Sequence, residues 1–220
     1  MNAAGEPAGA SRGWIGYRIA ALAGFASFVV GLAGAMLSDY GAAGLNPGTS
    51  VETTARYFAE HVGEAKAGAG LTATAALLTL VFAGVLWARL GSWPGVMAAA
   101  SACLLAVSWW SAAESLTVAV TAGEYGDGQT ARTLVTEGWE TARLLGVPVL
   151  GMVVATLVAA SRDRNAFPRW FRWVTAAFLV PLVVALVPAV GPSGGLAVIG
   201  SMWVPLASVL FVVERERGPD

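Results

Sequence analysis

Long apolar runs alternate with short polar segments along almost the whole chain. A run of about 18 or more apolar residues is needed to cross a hydrocarbon core about 30 Å thick. Because only helices and closed barrels satisfy their backbone groups in lipid, the pattern predicts an all-α, polytopic membrane helix bundle with six transmembrane helices. The predicted spans are Trp14–Leu37, Gly70–Leu90, Trp93–Ala122, Leu144–Ala160, Trp173–Val190 and Leu196–Val213.

Prolines fall inside the last three predicted spans. Membrane helices tolerate proline because neighbouring groups satisfy the carbonyl that loses its partner. We therefore expect these spans to be kinked helices. The prolines concerned are Pro148, Pro181, Pro188 and Pro205.

The first polar segment, Ser38–Ala69, contains the signature of a helix start. In "TSVE", Thr49–Glu52, a hydroxyl and a carboxylate can satisfy free N–H groups as a capping box. Apolar residues then recur at helical spacing, which predicts a short amphipathic helix that lies on the outer leaflet or caps the bundle. These residues are Val51, Ala55, Phe58 and Val62.

The second polar segment, Gly123–Arg143, begins with the turn-rich "GEYGDG" and is expected to continue as a helix. Both segments are rich in acids, so the face of the protein that carries them is predicted to be acidic. The acids are Asp39, Glu52, Glu60, Glu64, Glu124, Asp127, Glu137 and Glu140.

Composition agrees with a membrane protein. Of 220 residues, 56% are hydrophobic and 12% charged, whereas a soluble domain has about a quarter of its residues charged. The mean hydropathy is +0.66. The net charge of −1 leaves no basic footprint for nucleic acid. Cys103, the single cysteine, cannot form an intramolecular disulfide, and we interpret it as a small buried hydrophobe.

The distribution of Lys and Arg predicts the orientation. With the N-terminus inside, nine of these residues fall in inner segments and four in outer ones, so both termini are expected in the cytoplasm. Residues 1–13 are predicted to be a disordered cytoplasmic tail, 14–213 the transmembrane domain and 214–220 a second cytoplasmic tail. Tryptophans at the inner ends of the helices support this orientation: Trp14, Trp87, Trp93, Trp170 and Trp173.

The first span has a second interpretation. Arg12 and Arg18, the apolar stretch and "AGA" at Ala33–Ala35 resemble a signal peptide with its cleavage site. The apolar run is longer than a usual signal core. We therefore expect an uncleaved first helix.

An order of short patterns resembles a known family. "NPGTSVETTARYFAEH" follows the first span, "GVLWARL" ends the second, "FPRWFRWV" opens the fifth and "VVERER" ends the last. From Arg18 to Arg217 this layout resembles a family of uncharacterised six-helix bacterial integral membrane proteins, a domain of unknown function. The resemblance implies a fold and a location, but no activity and no catalytic residues.

Familiar catalytic motifs do not occur in the chain. It has no glycine-rich phosphate loop, G-x-S-x-G, H-E-x-x-H or DDxxD, and with one histidine a histidine metal cluster or a Ser-His-Asp triad is not expected. We predict no metal and no cofactor. His61 is interpreted as a solvated loop residue.

Glu114 is the residue that invites a functional hypothesis, because it is an acid inside a predicted span. It lies 21 residues beyond Trp93, which is roughly 31 Å along a helix. That distance places it at the outer boundary of the hydrocarbon core. In one interpretation it is a rim carboxylate that reaches water or pairs with Arg143 or Arg132.

In the other interpretation the outer loops close over Glu114 and keep it protonated. Glu114 would then act as a general acid with Asp39 as its partner, and aromatic faces would stabilise a carbocation during cyclisation of an isoprenoid. This hypothesis is an analogy with small membrane terpene cyclases. The pocket would be lined by Tyr40, Trp109, Trp110 and Thr117.

The sequence therefore leaves two functional hypotheses open. The first is a membrane protein without catalytic activity that binds a lipid, a small apolar ligand or a membrane partner in an outer-leaflet pocket. The alternative is a terpene cyclase-like membrane enzyme. A proton-coupled transporter is a third option, but it would require an acid nearer the midplane of the membrane.

Overall fold

The computed structural model describes residues 8–37, 45, 48–163, 167–186 and 199–214, and these are almost entirely helical. The helices are α1 (Ala8–Leu37), α2 (Val51–Glu60), α3 (Val62–Leu90), α4 (Ser92–Glu124), α5 (Gly128–Leu144), α6 (Gly146–Arg162), α7 (Arg169–Ala177), α8 (Leu179–Ala185) and α9 (Trp203–Glu214). The all-α fold class is confirmed for the described residues.

Three helices are long and apolar enough to cross a membrane. They are Gly16–Leu37 within α1, Val62–Leu90 and Ser92–Glu124. Two further apolar helical stretches are shorter. They are α6 and Ile199–Val213, which combines the helical residues 199–201 with most of α9. The described residues therefore contain three candidate spans, and the predicted count of six is not reached by length and composition alone.

Proline determines where several helices break. The four prolines Pro94, Pro148, Pro181 and Pro205 are each the third residue of a helix, namely α4, α6, α8 and α9. A proline has no N–H to donate to the carbonyl four residues earlier, and its ring crowds that carbonyl. The residues at that position, Leu90, Leu144, Ala177 and Ser201, are each the last helical residue before a break. At Pro148, Pro181 and Pro205 the helical hydrogen bonding is thus interrupted for one residue, and Leu145 and Phe178 keep right-handed helical backbone angles, as expected of a kink. Pro188 lies outside the described residues.

Two helices begin before the predicted spans. Helix α3 begins at Val62 whereas the predicted span begins at Gly70, so residues 62–69 of the first polar segment are continuous with that helix. Helix α1 begins at Ala8 and so includes residues 8–13, which were predicted as part of the N-terminal tail. The remainder of that tail, and residues 215–220 of the second one, lie outside the described residues.

The predicted amphipathic helix is confirmed as α2, but its cap differs from the prediction. The N-cap is Ser50, whose Oγ accepts a hydrogen bond from the Thr53 backbone N–H at 3.2 Å. The predicted capping residue was Thr49, one position earlier. Ser50 has the extended backbone that an N-cap requires, with φ −66° and ψ 154°.

Most of the long helices pack around one apolar core. Helix α3 lies between α1 and α4, α4 also contacts α6, and α9 packs on α1. Small residues allow close approach: a Cβ on Gly34 of α1 would lie 2.7 Å from Thr72 Oγ1 and 2.9 Å from the Gly68 carbonyl oxygen of α3. The large side chains that are fully buried in this core include Phe82, Met152, Phe171, Trp203 and Phe211.

A second, smaller apolar cluster lies at one end of the bundle. Helices α2 and α5 pack against the C-terminal part of α4, with Phe58 of α2 fully buried there. We call α2, α5 and the adjoining ends of α3 and α4 the head. The other members of its buried core are Leu45, Ala65, Ala69, Leu116, Ala119, Val120, Ala131 and Val135.

Candidate functional site

Helix α4 positions the acid that the sequence singles out. Its 33 residues extend over about 50 Å, more than the thickness of a hydrocarbon core of about 30 Å. Its first part contributes to the large core up to Leu105 and Trp109, and its last part contributes to the head from Leu116 onward. Glu114 lies between these two regions, where the helix leaves one apolar cluster and enters the other.

Glu114 is exposed. Ala113 and Leu116 beside it are buried, so the acid faces away from the neighbouring helices. The structure records no hydrogen bond or ion pair for Glu114 among the described residues. The predicted pairing with Arg132 is not seen, and the side chain of Arg143 lies outside the described part of the chain.

The two adjacent tryptophans face different surroundings. Trp109 packs against the large core, and a Cβ on Gly31 of α1 would lie 3.2 Å from its Cζ2 atom. Trp110 is 55% exposed. Because residues one turn apart share a helix face, Trp110 lies on the same side of α4 as Glu114. Trp109 is therefore a packing residue, and Trp110 is the one that accompanies the acid.

The other predicted site residues are only partly described. Thr117 is exposed one turn above Ala113, and its hydroxyl donates to the Ala113 carbonyl at 2.9 Å. Asp39 and Tyr40 lie outside the described residues. The structure thus brings Trp110, Glu114 and Thr117 onto one outward face of α4 and leaves Trp109 on another.

The head surface above this face carries many acids. Every acidic side chain described there is exposed: Glu52, Glu60, Glu64, Glu124, Asp127 and Glu137. One of them, Glu124 at the end of α4, accepts from Lys66 Nζ near the start of α3 at 2.9 Å. This ion pair joins two neighbouring helices across the head, although both side chains are partly solvated.

Two carboxylates of the head serve as hydrogen-bond acceptors at helix starts. The backbone N–H of Glu52 and the Ser50 hydroxyl both lower the pKa of the Glu52 carboxyl. The Thr130 hydroxyl and the Thr130 backbone N–H lower the pKa of Asp127, which caps α5. In both groups the hydrogen bonds favour the charged form. These acids therefore stabilise helix starts. The hydrogen-bond partners of Glu52 are its own backbone N–H and Ser50, whereas the predicted capping box paired Glu52 with Thr49.

His61 and Cys103 differ from their predicted settings. His61 is half-buried at the junction of α2 and α3, where its ring stacks on Tyr57 at 4.5 Å and its Nδ1 lies 3.0 Å from the Tyr57 carbonyl oxygen. Cys103 is exposed on α4 and not buried. In the described ranges no group of three His, Cys, Asp or Glu side chains is placed to hold a metal ion.

At the end opposite the head, the segment "FPRWFRWV" makes contacts that the sequence pattern did not reveal. The Arg89 guanidinium at the end of α3 lies over the Phe167 ring, 5.3 Å from its centroid. Phe167 in turn packs on Phe171 and Phe211, with ring centroids 5.5 Å and 6.2 Å away. The only sequence signal for this cluster is the alternation of arginines with aromatic residues.

Comparisons with family models, with curated proteins and with solved structures each find no significant match to this chain.

Proposed function

We propose that this chain is a six-span membrane protein, with both termini in the cytoplasm, that binds a lipid of the outer leaflet on the face of α4 carrying Trp110 and Glu114. Three long apolar helices support membrane insertion. The shorter helix α6, the pair α7 and α8, and the helix ending at Glu214 supply the remaining three spans. The acidic head then faces outward, in accord with the bias of Lys and Arg toward the other end.

The observation that carries the proposal is the exposed carboxylate of Glu114 within the apolar part of α4. A charged carboxylate in contact with lipid is energetically unfavourable unless water solvates it or a cation pairs with it. Below it, toward the centre of the helix, Val107 is 62% and Leu104 50% exposed, which suits contact with acyl chains. A lipid whose headgroup carries an ammonium matches this order of groups.

Trp110 gives the site its second element. The face of an indole ring attracts a cation, with about 0.5–2 kcal/mol depending on desolvation. A carboxylate one helical turn away can accept hydrogen bonds from the same ammonium. Phosphatidylethanolamine combines such a headgroup with two acyl chains, so we expect it to be preferred over phosphatidylglycerol.

The cyclase alternative requires an acid sheltered from water. The exposure of Glu114 gives that mechanism no support, and its proposed partner Asp39 lies outside the described residues. We therefore favour binding over catalysis.

Lipid binding to the purified full chain, measured by native mass spectrometry, tests the proposal. A charge-assisted hydrogen bond contributes about 1.5–3 kcal/mol, so Glu114→Gln should weaken phosphatidylethanolamine binding about tenfold or more. Glu137→Gln removes an exposed acid of the head and should leave binding unchanged. Unaltered binding in Glu114→Gln would refute the site. A cyclised product from an isoprenoid panel, lost in Glu114→Gln, would replace binding by catalysis.

A further inference from the structure

A cluster of arginines and tryptophans lies at the end of the bundle opposite the head. We call it the basic corner, and it comprises Arg89, Arg162, Arg169, Arg172, Trp170 and Trp173. The cluster joins the end of α3, the end of α6 and the start of α7. It is separate from the face of α4 discussed above.

Packing of the segment before α7 holds the corner together. Phe167 is buried, and Arg89 lies over its ring while Phe171 packs beside it. Arg89 is therefore fixed beside the first turn of α7, which begins at Arg169. Two helices that are far apart in sequence thus present their arginines at one place.

Helix α7 has the two faces of an interfacial helix. Phe171 and Thr175 are completely buried in the bundle, whereas Trp170 is 52% and Trp173 78% exposed. Large indole rings this exposed are favoured where apolar chains meet the polar headgroups of a membrane. Indole rings at that level would place the adjacent arginines among the headgroups.

Positive charge is concentrated at the start of α7, where Arg169 and Arg172 lie within one turn of each other. Among the acidic side chains that the structure describes, Asp163, next to Arg162 in the sequence, lies at this end and has an interaction partner of its own. The first turn of α7 contains no acid, so the positive end of its helix dipole adds to the arginine charges. Two arginines at a helix start disfavour the helix unless an anion is present.

We propose that the basic corner binds the headgroup of an anionic phospholipid in the inner leaflet of the membrane. This inference rests on the membrane part of the proposed function but not on the Glu114 site. The arginines supply donors for a phosphate, and guanidinium groups bind phosphate in a bidentate manner. The exposed indole rings of Trp170 and Trp173 suit a phosphate that brings acyl chains with it rather than a free phosphate ion.

Binding of phosphatidylglycerol to the full chain in phosphatidylcholine nanodiscs tests the proposal. Each arginine near a membrane surface contributes about fivefold in affinity, so Arg169→Gln with Arg172→Gln should weaken binding about 25-fold. The same pair changed to Lys keeps the charge and should lose no more than about fivefold. As a matched control, Arg56→Gln with Lys66→Gln removes two cations of the head and should change binding less than about twofold.

Three results would overturn the proposal. Binding that is unchanged in the double Gln variant would remove the arginines from the site. An equal loss in the head control would show a nonspecific charge effect, and displacement of the lipid by inorganic phosphate would assign the site to a free anion. If the double variant does not fold, the single variant Arg169→Gln, at an exposed side chain, must still show about a fivefold loss. Phosphatidylethanolamine binding at Glu114 should be unchanged in all of these variants, so the two proposals can fail independently.

Discussion

Trp109 and Trp110 are neighbours in the chain, but they face opposite environments. The ring of Trp109 lies close to Gly31 of α1, whereas Trp110 is 55% exposed beside Glu114. Successive helical residues are about 100° apart, so one turns into the bundle and the other out of it. Trp109 and Trp110 were both predicted to line one pocket. Trp109 is instead a packing residue, and Trp110 is a surface residue.

The two tryptophans should consequently respond differently to truncation. Trp109→Ala leaves a cavity between α1 and α4, and since the ring is only partly buried we expect a loss of about 2 kcal/mol. Trp110→Ala should cost less than about 0.5 kcal/mol in detergent. Thermal unfolding of both variants measures the difference, and equal losses would contradict the observed packing of Trp109.

Alanine substitutions at Gly34 and Gly84 should change the free energy of unfolding in different directions. A Cβ on Gly34 would meet the backbone of α3 at Gly68 and Thr72, so Gly34→Ala must separate the helices and should cost about 1–3 kcal/mol. Gly84 has nothing within 4 Å of an added Cβ. Gly84→Ala should therefore be neutral or stabilise by about 0.5 kcal/mol through helix propensity. Unfolding midpoints that move in the same direction would argue against the close contact of α1 with α3.

The main helices of the fold were predictable from hydropathy, but some of their limits were not. Residues 62–69, "VGEAKAGA", are too polar and too small to appear as membrane residues. They are nevertheless helical because Ala65 and Ala69 pack into the core of the head. Tertiary contacts thus extend α3 beyond the part that hydropathy detects. The one-residue interruptions before Pro148, Pro181 and Pro205 follow from the same local chemistry that predicted kinks there.

The environment of Glu114 could not be predicted for a related reason. Around Glu114, α4 is apolar on nearly every side, so no amphipathic pattern shows which face turns inward. Depth along the helix can be estimated by counting residues, whereas rotation depends on which neighbours the small residues admit. The burial of Ala113 beside the exposed Glu114 settles that rotation.

Substitutions at the start of α2 distinguish Ser50 from Thr49 as its cap. Ser50→Ala removes the acceptor of the Thr53 N–H and should destabilise the head by about 1 kcal/mol. Thr49→Ala keeps the Ser50 acceptor and should therefore have a smaller effect on the exchange of the Thr53 amide. Amide hydrogen exchange of α2 reports on this local equilibrium, and a larger effect for Thr49 would restore the original capping box.

The head should lose stability in acid. The pKa of Glu52 is lowered from an ordinary value of 4.5, and that of Asp127 from 3.8, by hydrogen bonds to the charged carboxylates. A carboxyl with a lowered folded pKa stabilises above its unfolded pKa, and that contribution disappears as the pH falls through the folded value. Lower amide protection factors in α2 and α5, corrected for the slower intrinsic exchange in acid, are expected below about pH 4. Asp127→Asn should reduce this pH dependence in α5 only, and an unchanged profile would show that other groups titrate.

The indole N–H of Trp203 donates to Thr175 Oγ1 at 3.3 Å, and both side chains are completely buried. Thr175→Val keeps the shape of the side chain but leaves that N–H without its acceptor. Interhelical hydrogen bonds in membrane proteins contribute about 0.6 kcal/mol on average, and an unsatisfied buried donor raises the cost, so we expect a loss of about 1 kcal/mol. Thr156 is equally buried, but its hydroxyl donates to the Met152 carbonyl of its own helix, at 2.9 Å. Thr156→Val should therefore leave the free energy of unfolding nearly unchanged. A comparable loss of stability in both variants would show that the Trp203–Thr175 hydrogen bond is not the cause.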